Sequence, residues 1–423
     1  MTDYEVQRPA GLNELRCIVR DTLGLYGTIA ACATYTDSGA SNSNLPVDDI
    51  VMALKQCVAE HPVLTTIVLD TQTDSPLLAR QANMSISHHL RISSHPISPE
   101  NAMAEVLNQV HNDPLDDLST HPPWRLYIRM IKTSSALRTF IAAFAYSHAI
   151  ADGFSGLLFH RSFLRALCGT EGLPHTTDAN FVPETSSRLF PALEQAATLP
   201  ISWSFLLGPL IAEYCPGILK RALARSLQET GQEDPRLFKA ETAIDLRRCI
   251  PAAKDTMGNF PSAVTDVVTT SNTKATDTPL TKEDWQTAQR LTHRLQEASS
   301  TLSDQPVGLL KYLSDFRSWT IKKASQPPEC SFSVSNLGVF ETETAKADGE
   351  SESGGGWVIG DMAFSQSADA TGAAFNLNLA STKAGGLNVV VTWWPGMLGV
   401  QDEGRLMERV CGGVVDQMEH IAG

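Results

Sequence analysis

Between Phe140 and Leu167 an apolar run enters a short polar turn, Ser147-His148-Ala149-Ile150-Ala151-Asp152-Gly153, and leaves it as a second apolar run. This order constrains the fold more than any other stretch. The flanking segments can be hidden from water only inside a core, whereas the turn carries an imidazole and a carboxylate that need partners or solvent. The spacing predicts a buried strand over Leu137 to Tyr146 and a helix from about Phe154 to Leu167. The turn is thus clamped between two rigid elements, where loops present catalytic side chains. A histidine there titrates close enough to neutrality to serve as a general base.

Other readings of the turn stand beside that one. A histidine at a strand end is commonly a hydrogen-bonded structural residue. His148 and Asp152 share the i, i+4 spacing of a metal pair, but no third ligand lies nearby and Gly153 marks a turn, so no metal is expected. A serine hydrolase fits worse: Gly153-Phe154-Ser155-Gly156-Leu157 lacks the second glycine of G-x-S-x-G, and Ser147 would point away from His148 along the strand.

With 423 residues the chain exceeds what one core usually supports, so two domains of roughly 200 residues are expected. The Gly169 to Glu184 stretch, rich in Thr, Pro and acidic residues, is the linker candidate, giving domains 1–175 and 176–423. A net charge of −14 with no dense basic run excludes an ordinary nucleic-acid binder. Eight cysteines spread from Cys17 to Cys411 without a CxxC pair read as reduced thiols. With no secretory signal visible in Met1 to Glu5, a cytoplasmic, monomeric protein is expected. Leu199 to Leu219 is the most apolar stretch, but Pro200, Pro209, Glu213 and Pro216 interrupt it, and no membrane span is expected.

Periodicity predicts further elements. Val47 to Val58 reads as a helix, followed by an extended Val63 to Leu69. A helix follows Ser98-Pro99-Glu100, and Trp124 to Ile131 pairs with the strand leading into the turn. Later come a helix after Thr281 with Trp285, Ala288, Leu291 and Leu295 on one face, and a second helix carrying Leu309, Leu310, Leu313, Phe316 and Ile321. Strands are expected at Ser331 to Phe340, Trp357 to Phe364, Ala373 to Ser381 and Leu387 to Trp394, the last two joined as a hairpin through Lys383-Ala384-Gly385-Gly386. A terminal helix carries Leu406, Val410, Val414 and Met418. Glu341 to Gly356, acidic and rich in Ser and Gly, reads as a surface loop.

The HxxxDG turn resembles the signature of the superfamily containing chloramphenicol acetyltransferase, the plant BAHD acyltransferases and the condensation domains of peptide synthetases. More closely, the chain resembles the fungal alcohol acetyltransferase family. The likeness runs through Arg8 to Arg16, Ala33 and Tyr35, His61-Pro62-Val63-Leu64, Pro123-Trp124-Arg125-Leu126 and the HxxxDG turn. It continues through Ile244-Asp245-Leu246-Arg247-Arg248, Met257-Gly258-Asn259-Phe260, Val334-Ser335-Asn336-Leu337-Gly338 and Phe364-Ser365-Gln366-Ser367. The chain departs from the family pattern between Leu219 and Asp245, where about one strand-helix unit is shortened.

The resemblance implies two chloramphenicol-acetyltransferase-like α/β domains with mixed sheets and an active-site tunnel at their interface. It implies acyl transfer from acyl-coenzyme A, used as co-substrate and not permanently bound, to a hydroxyl of a small secondary metabolite. His148 would be the general base, Asp152 would pair with Arg247 to shape the turn, and Gly153 would allow the tight bend. Ser335, Asn336, Ser365 and Gln366 are candidate oxyanion or substrate donors, and Lys322 and Lys323 candidate contacts for the coenzyme's phosphates. The same fold also suits acyl transfer from a carrier protein, condensation or cyclisation, or a catalytically silent binding protein.

Overall fold

The computed structural model describes residues 4–37, 39, 45–132, 137–169, 180–183, 188–203, 205–206, 237–269, 282–341 and 356–422. The chain opens with β1 (Tyr4–Pro9), α1 (Leu12–Thr22) and β2 (Thr28–Asp37). The start of α1 is set locally: the Glu14 carboxylate accepts the Gly11 backbone N–H at 2.7 Å and is itself held by Arg8 at 2.7 Å. This satisfies one of the donors that a helix start leaves open and puts an acid where the helix dipole favours it.

Next come α2 (Val47–Glu60), β3 (Thr66–Leu69), β4 (Leu77–Gln81), the two-residue β5 (Met84–Ser85), α3 (Ile86–His89), β6 (Leu90–Ile97), α4 (Ala102–Asn112), β7 (Trp124–Ile131), β8 (Arg138–Ser147) and α5 (Gly153–Gly169). As expected from its pattern, α2 buries Ile50, Ala53, Leu54, Cys57 and Val58. The strand expected from Val63 begins only at Thr66, because Pro62 opens a 3-10 turn over Pro62–Thr65.

Beyond α5 lie β9 (Asn180–Phe181), α6 (Leu193–Ala196), β10 (Leu237–Asp245), β11 (Pro261–Thr269), α7 (Lys282–Ser299), α8 (Phe316–Ala324), β12 (Cys330–Phe340), β13 (Trp357–Gln366), β14 (Ala373–Thr382), β15 (Leu387–Trp393) and α9 (Glu403–Ala422). The helix expected through Leu309 and Ile321 is instead a 3-10 turn, Pro306–Tyr312, and a separate α8. Asp315 caps α8 by accepting the Ser318 backbone N–H at 2.8 Å. Helix α7 forms as expected, yet buries none of its residues.

Two five-stranded mixed sheets carry the molecule, in the orders β13-β2-β8-β7-β6 and β11-β10-β12-β14-β15. The three-stranded sheet β1-β4-β3 and the pair β5-β9 flank them. Strand β8 pairs along its whole length with β2, from Thr28 opposite Ser147 to Asp37 opposite Arg138. It is covered by α5 on one face and α4 on the other, which is why it reads as a continuous apolar run. Small residues let the helix approach: a Cβ on Gly156 would lie 2.6 Å from Ala31 Cβ.

The expected division between residues 175 and 176 lies outside the described residues, as do most of the Gly169–Glu184 linker, the later part of Leu199–Leu219, the shortened region up to 236 and the 342–355 loop. Sheet membership crosses that division. Strand β13, late in the chain, joins the first sheet beside β2, with Gln366 opposite Ile29 and Trp357 opposite Asp37. Among the described residues, no helix is long and apolar enough to cross a membrane.

Candidate active site

The HxxxDG turn closes the strand β8 and opens the helix α5, and Tyr146, Ser147 and Gly153 fix its path. Ser147 donates from Oγ to Asp21 Oδ2 at 2.5 Å and accepts the Ala149 N–H at 3.1 Å. Tyr146, at the strand's end, donates to the Asp152 carbonyl at 2.8 Å. A Cβ on Gly153 would come within 2.9 Å of Phe364 Cζ, so the turn passes where only glycine fits.

Asp152 then ties the turn to the second half of the chain. Its carboxylate receives Arg247 in a two-pronged pair, Nη1 to Oδ2 at 2.8 Å and Nη2 to Oδ1 at 2.9 Å. It also accepts the Phe260 backbone N–H at 2.9 Å and the Ser155 hydroxyl at 2.9 Å. The Asp152 N–H donates to the Gly258 carbonyl at 3.0 Å. Arg247 is further satisfied by Asp245, the Thr256 and Gly258 carbonyls and the faces of Phe154 and Phe260. Burial alone would raise the Asp152 carboxyl, but the guanidinium outweighs it and holds the group below the usual carboxylate range. The structure therefore brings Asp152, Gly153 and Arg247 together, with the carboxylate turned away from the ring of His148 and into the interface.

His148 is fixed by Asn259, whose role has no signal of its own in the sequence. Asn259 donates from Nδ2 to the His148 carbonyl at 2.8 Å, which leaves its Oδ1 facing His148 Nδ1 at 2.9 Å. An amide oxygen can only accept, so Nδ1 carries the proton and Nε2 keeps its lone pair. The imidazole is therefore held in the tautomer a base requires. Asn259→Ala removes this lock together with both of its hydrogen bonds to His148; turnover should fall by roughly tenfold, the rate equivalent of about 1.4 kcal/mol, with a loss of stability of about 1–3 kcal/mol. An unchanged kcat in steady-state assays would show that the ring does not need its partner.

On the other side of the ring stands α1. Cys17 is buried there, 1% exposed, and Arg20 Nη2 donates to its sulfur at 3.4 Å. Arg20 is paired with Asp369 at 2.5 Å and stacks over Tyr26 at 4.8 Å. Tyr26, whose ring centre is 5.7 Å from that of His148, donates its hydroxyl to Gln366 Oε1 at 2.7 Å. Burial works to lower the His148 imidazole, but the neighbouring Cys17 outweighs it, and the ring is raised above its ordinary value.

The remaining candidates divide. Gln366 reaches the His148 side of the sheet through Tyr26, whereas Ser365 points to the opposite face and bonds His111 of α4 at 2.8 Å. The expectation that Ser365 could serve the oxyanion is corrected by this strand alternation. Asn336 is exposed and spends its amide oxygen on the Gly338 N–H at 2.8 Å, in the irregular stretch of β12. Ser335 is half-buried one position earlier. Lys322 and Lys323 sit at the end of α8, Lys323 paired with Glu329 at 3.0 Å. None of these is recorded in contact with His148 among the described residues.

A histidine presented where two mixed sheets meet, with its turn pinned by an aspartate–arginine pair across the interface, defines a protein of the chloramphenicol-acetyltransferase-like fold. Solved structures agree: the trichothecene 15-O-acetyltransferase TRI3 of Fusarium sporotrichioides superposes with a TM-score of 0.66 at 12% identity, covering 98% of this chain and 95% of that one. The first condensation domain of the CDA synthetase does so at 0.52 and 16%, covering 95% and 94%. Within that class, residues 221–411 match the family model for alcohol acetyltransferase, in line with the sequence resemblance. A protein described as a probable alcohol acetyltransferase, crmB of Aspergillus fumigatus, is 29% identical over 195 residues, 43% of this chain. That match spans 41% of the relative's length.

Proposed function

We propose that this protein is an acyl-coenzyme A-dependent O-acyltransferase, with acetyl-coenzyme A as the natural donor, that acylates a hydroxyl of a small secondary metabolite. The observation that carries the proposal is the orientation of His148: Asn259 holds Nδ1, so the lone pair of the neutral ring lies on Nε2, at the junction of the two sheets. An alcohol is a poor nucleophile at neutral pH unless its proton is removed as the new bond forms, and Nε2 is the group placed to take it. The oxygen attacks the thioester carbonyl, the carbon–sulfur bond breaks, and the proton leaves with the coenzyme thiol. The alcohol acetyltransferase domain at residues 221–411 supports the same chemistry.

Asp152 and Arg247 hold the shape of the turn and take no part in proton transfer, since both Asp152 oxygens are occupied. In this reading donor and acceptor approach His148 from opposite ends of a tunnel between the two halves, with the coenzyme's phosphates meeting the basic end of α8 at Lys322 and Lys323. The testing experiment mixes the full chain with acetyl-coenzyme A and a panel of hydroxylated metabolites and follows free thiol and the mass of acylated product. Product formation at a rate above the uncatalysed exchange supports the reading. A folded protein that neither binds acetyl-coenzyme A by calorimetry nor forms product with any acceptor sinks it.

A further inference from the structure

One buried face of α1 is polar. Asn13, Arg16, Cys17 and Arg20 recur at i, i+3, i+4 and i+7 and so form one stripe along the helix, while Leu15 and Val19 on the neighbouring face pack into the core. The stripe runs beside the site already described. Arg20 pairs with Asp369 and lies over Tyr26 at 4.8 Å, and the Tyr26 ring centre is 5.7 Å from that of His148.

Two members of the stripe are unspent. Asn13 is 2% exposed, and neither its amide nitrogen nor its oxygen has a partner. Arg16 is half-buried, its Nε is enclosed without a partner, and among the described residues its guanidinium makes no ion pair. Buried polar groups are normally paired, so donors and an acceptor left open beside a reactive imidazole mark a place that a ligand completes.

The second sheet brings a polar row to the same interface. On β14, Asn376, Asn378 and Ala380 alternate onto one face, and Ala380 lies in the core built around β8, so this face is turned toward the first half. Ser333 joins the row by donating to Asn376 Oδ1 at 2.5 Å, and Glu241 of β10 stands in register with Ser333. Asn378 is fully buried, and its Oδ1 is a further atom without a partner. Burial, and then the like charge of Arg20, hold the Arg16 guanidinium below its ordinary value, with Glu241 and Asp369 acting against them without pairing with it.

Resting on the acyltransferase reading above, we propose that the α1 stripe and this row bound the acceptor subsite, and that the acceptor is an uncharged, multiply oxygenated metabolite whose further oxygens are held by Asn13, Arg16 and Glu241. The lining decides the chemistry. Amide, guanidinium and carboxylate together offer donors and acceptors, which a skeleton bearing several hydroxyls or carbonyls answers and a hydrocarbon does not. Charge is balanced, since Asp369 meets Arg20 and Glu241 stands against Arg16, so a ligand with a net charge would be left uncompensated. A simple aliphatic alcohol would desolvate these groups and satisfy none of them.

The experiment compares acceptors that share one carbon skeleton: a terpenoid or steroid alcohol with a single hydroxyl, and its derivatives bearing three or more hydroxyl or keto groups. In steady-state assays with acetyl-coenzyme A, kcat/KM should be roughly tenfold or more higher for the polyoxygenated members. Asn13→Ala and Arg16→Met should each raise KM for those members by roughly 10- to 100-fold, with the KM for acetyl-coenzyme A little changed, and Arg16→Lys should recover part of the loss. Asn13→Ala, which removes no charge, carries the test if a thermal melt shows Arg16→Met unfolded. Equal use of singly and multiply oxygenated acceptors overturns the proposal. So does a loss in the variants that falls equally on both kinds of acceptor, the mark of a structural role, or one confined to the KM for acetyl-coenzyme A, which places Arg16 on the donor side. A wild-type chain that binds acetyl-coenzyme A by calorimetry but acetylates none of the series overturns this acceptor class and leaves the donor half of the acyltransferase reading standing. A folded chain that does not bind acetyl-coenzyme A removes both.

Discussion

Asp152→Ala should lower the unfolding free energy by about 3–5 kcal/mol, the cost of leaving a buried charge without its partner. The stranded group is Arg247, a residue 3% exposed, which would keep Asp245, Ser155, backbone carbonyls and the faces of Phe154 and Phe260. The loss reaches further than one ion pair, because Asp152 also collects the N–H groups of Phe260 and Ser155 and so stitches the two halves together. The pH dependence has a definite sign. The folded carboxyl is held below the ordinary value of about 3.9, so its contribution is complete above that value and is lost as pH falls through the lower folded one. Urea unfolding of the wild type and of Asp152→Ala between neutral pH and acid should show curves that converge as the medium becomes acidic. A variant as stable as wild type at neutral pH would remove the pair from the account of this fold.

His148→Ala should act in the opposite way, lowering kcat by about 10²- to 10⁴-fold, the usual contribution of a positioned base, while leaving the protein folded. The ring's side-chain bond is to Asn259, and Asn259 keeps its bond to the His148 backbone carbonyl after truncation. The matched measurements are thiol release with acetyl-coenzyme A and a thermal melt. Wild-type turnover in the alanine variant would end the case for His148 as base. A collapse in Tm comparable to that of Asp152→Ala would recast the residue as structural.

Much of the fold was legible because its signals are local. The continuous apolar run into the HxxxDG turn marks a strand covered on both faces, and β8 is one. The four late strands and the Lys383–Gly386 hairpin follow from alternation and turn residues. Helix α1 left no comparable trace: Asn13, Glu14 and Arg20 are buried on it, so a search for apolar periodicity passes over the face that matters most. The same blindness explains the site. His148 was visible in its own motif, and Arg247 through the family resemblance. Asn259 lies 111 positions from His148 and Cys17 on a different element altogether, and only folding brings them to the ring. Ser365 failed for a simpler reason: next to Gln366 on one strand, it must face the other way.

The late arrival of β13 shapes how such a chain can be made. During synthesis the first sheet must wait for residues 357–366 before β2 acquires its outer neighbour. Until then β2, with Ile29, Ala31 and Ala33 on a face meant for burial, is an open edge able to pair with any extended chain that meets it. Folding here is therefore a closure between distant parts of one polypeptide, slow by its topology and exposed to misassociation while it lasts. The HxxxDG turn takes Arg247, Asn259 and Phe364 as neighbours from chain made after it, so its final shape waits on that same closure.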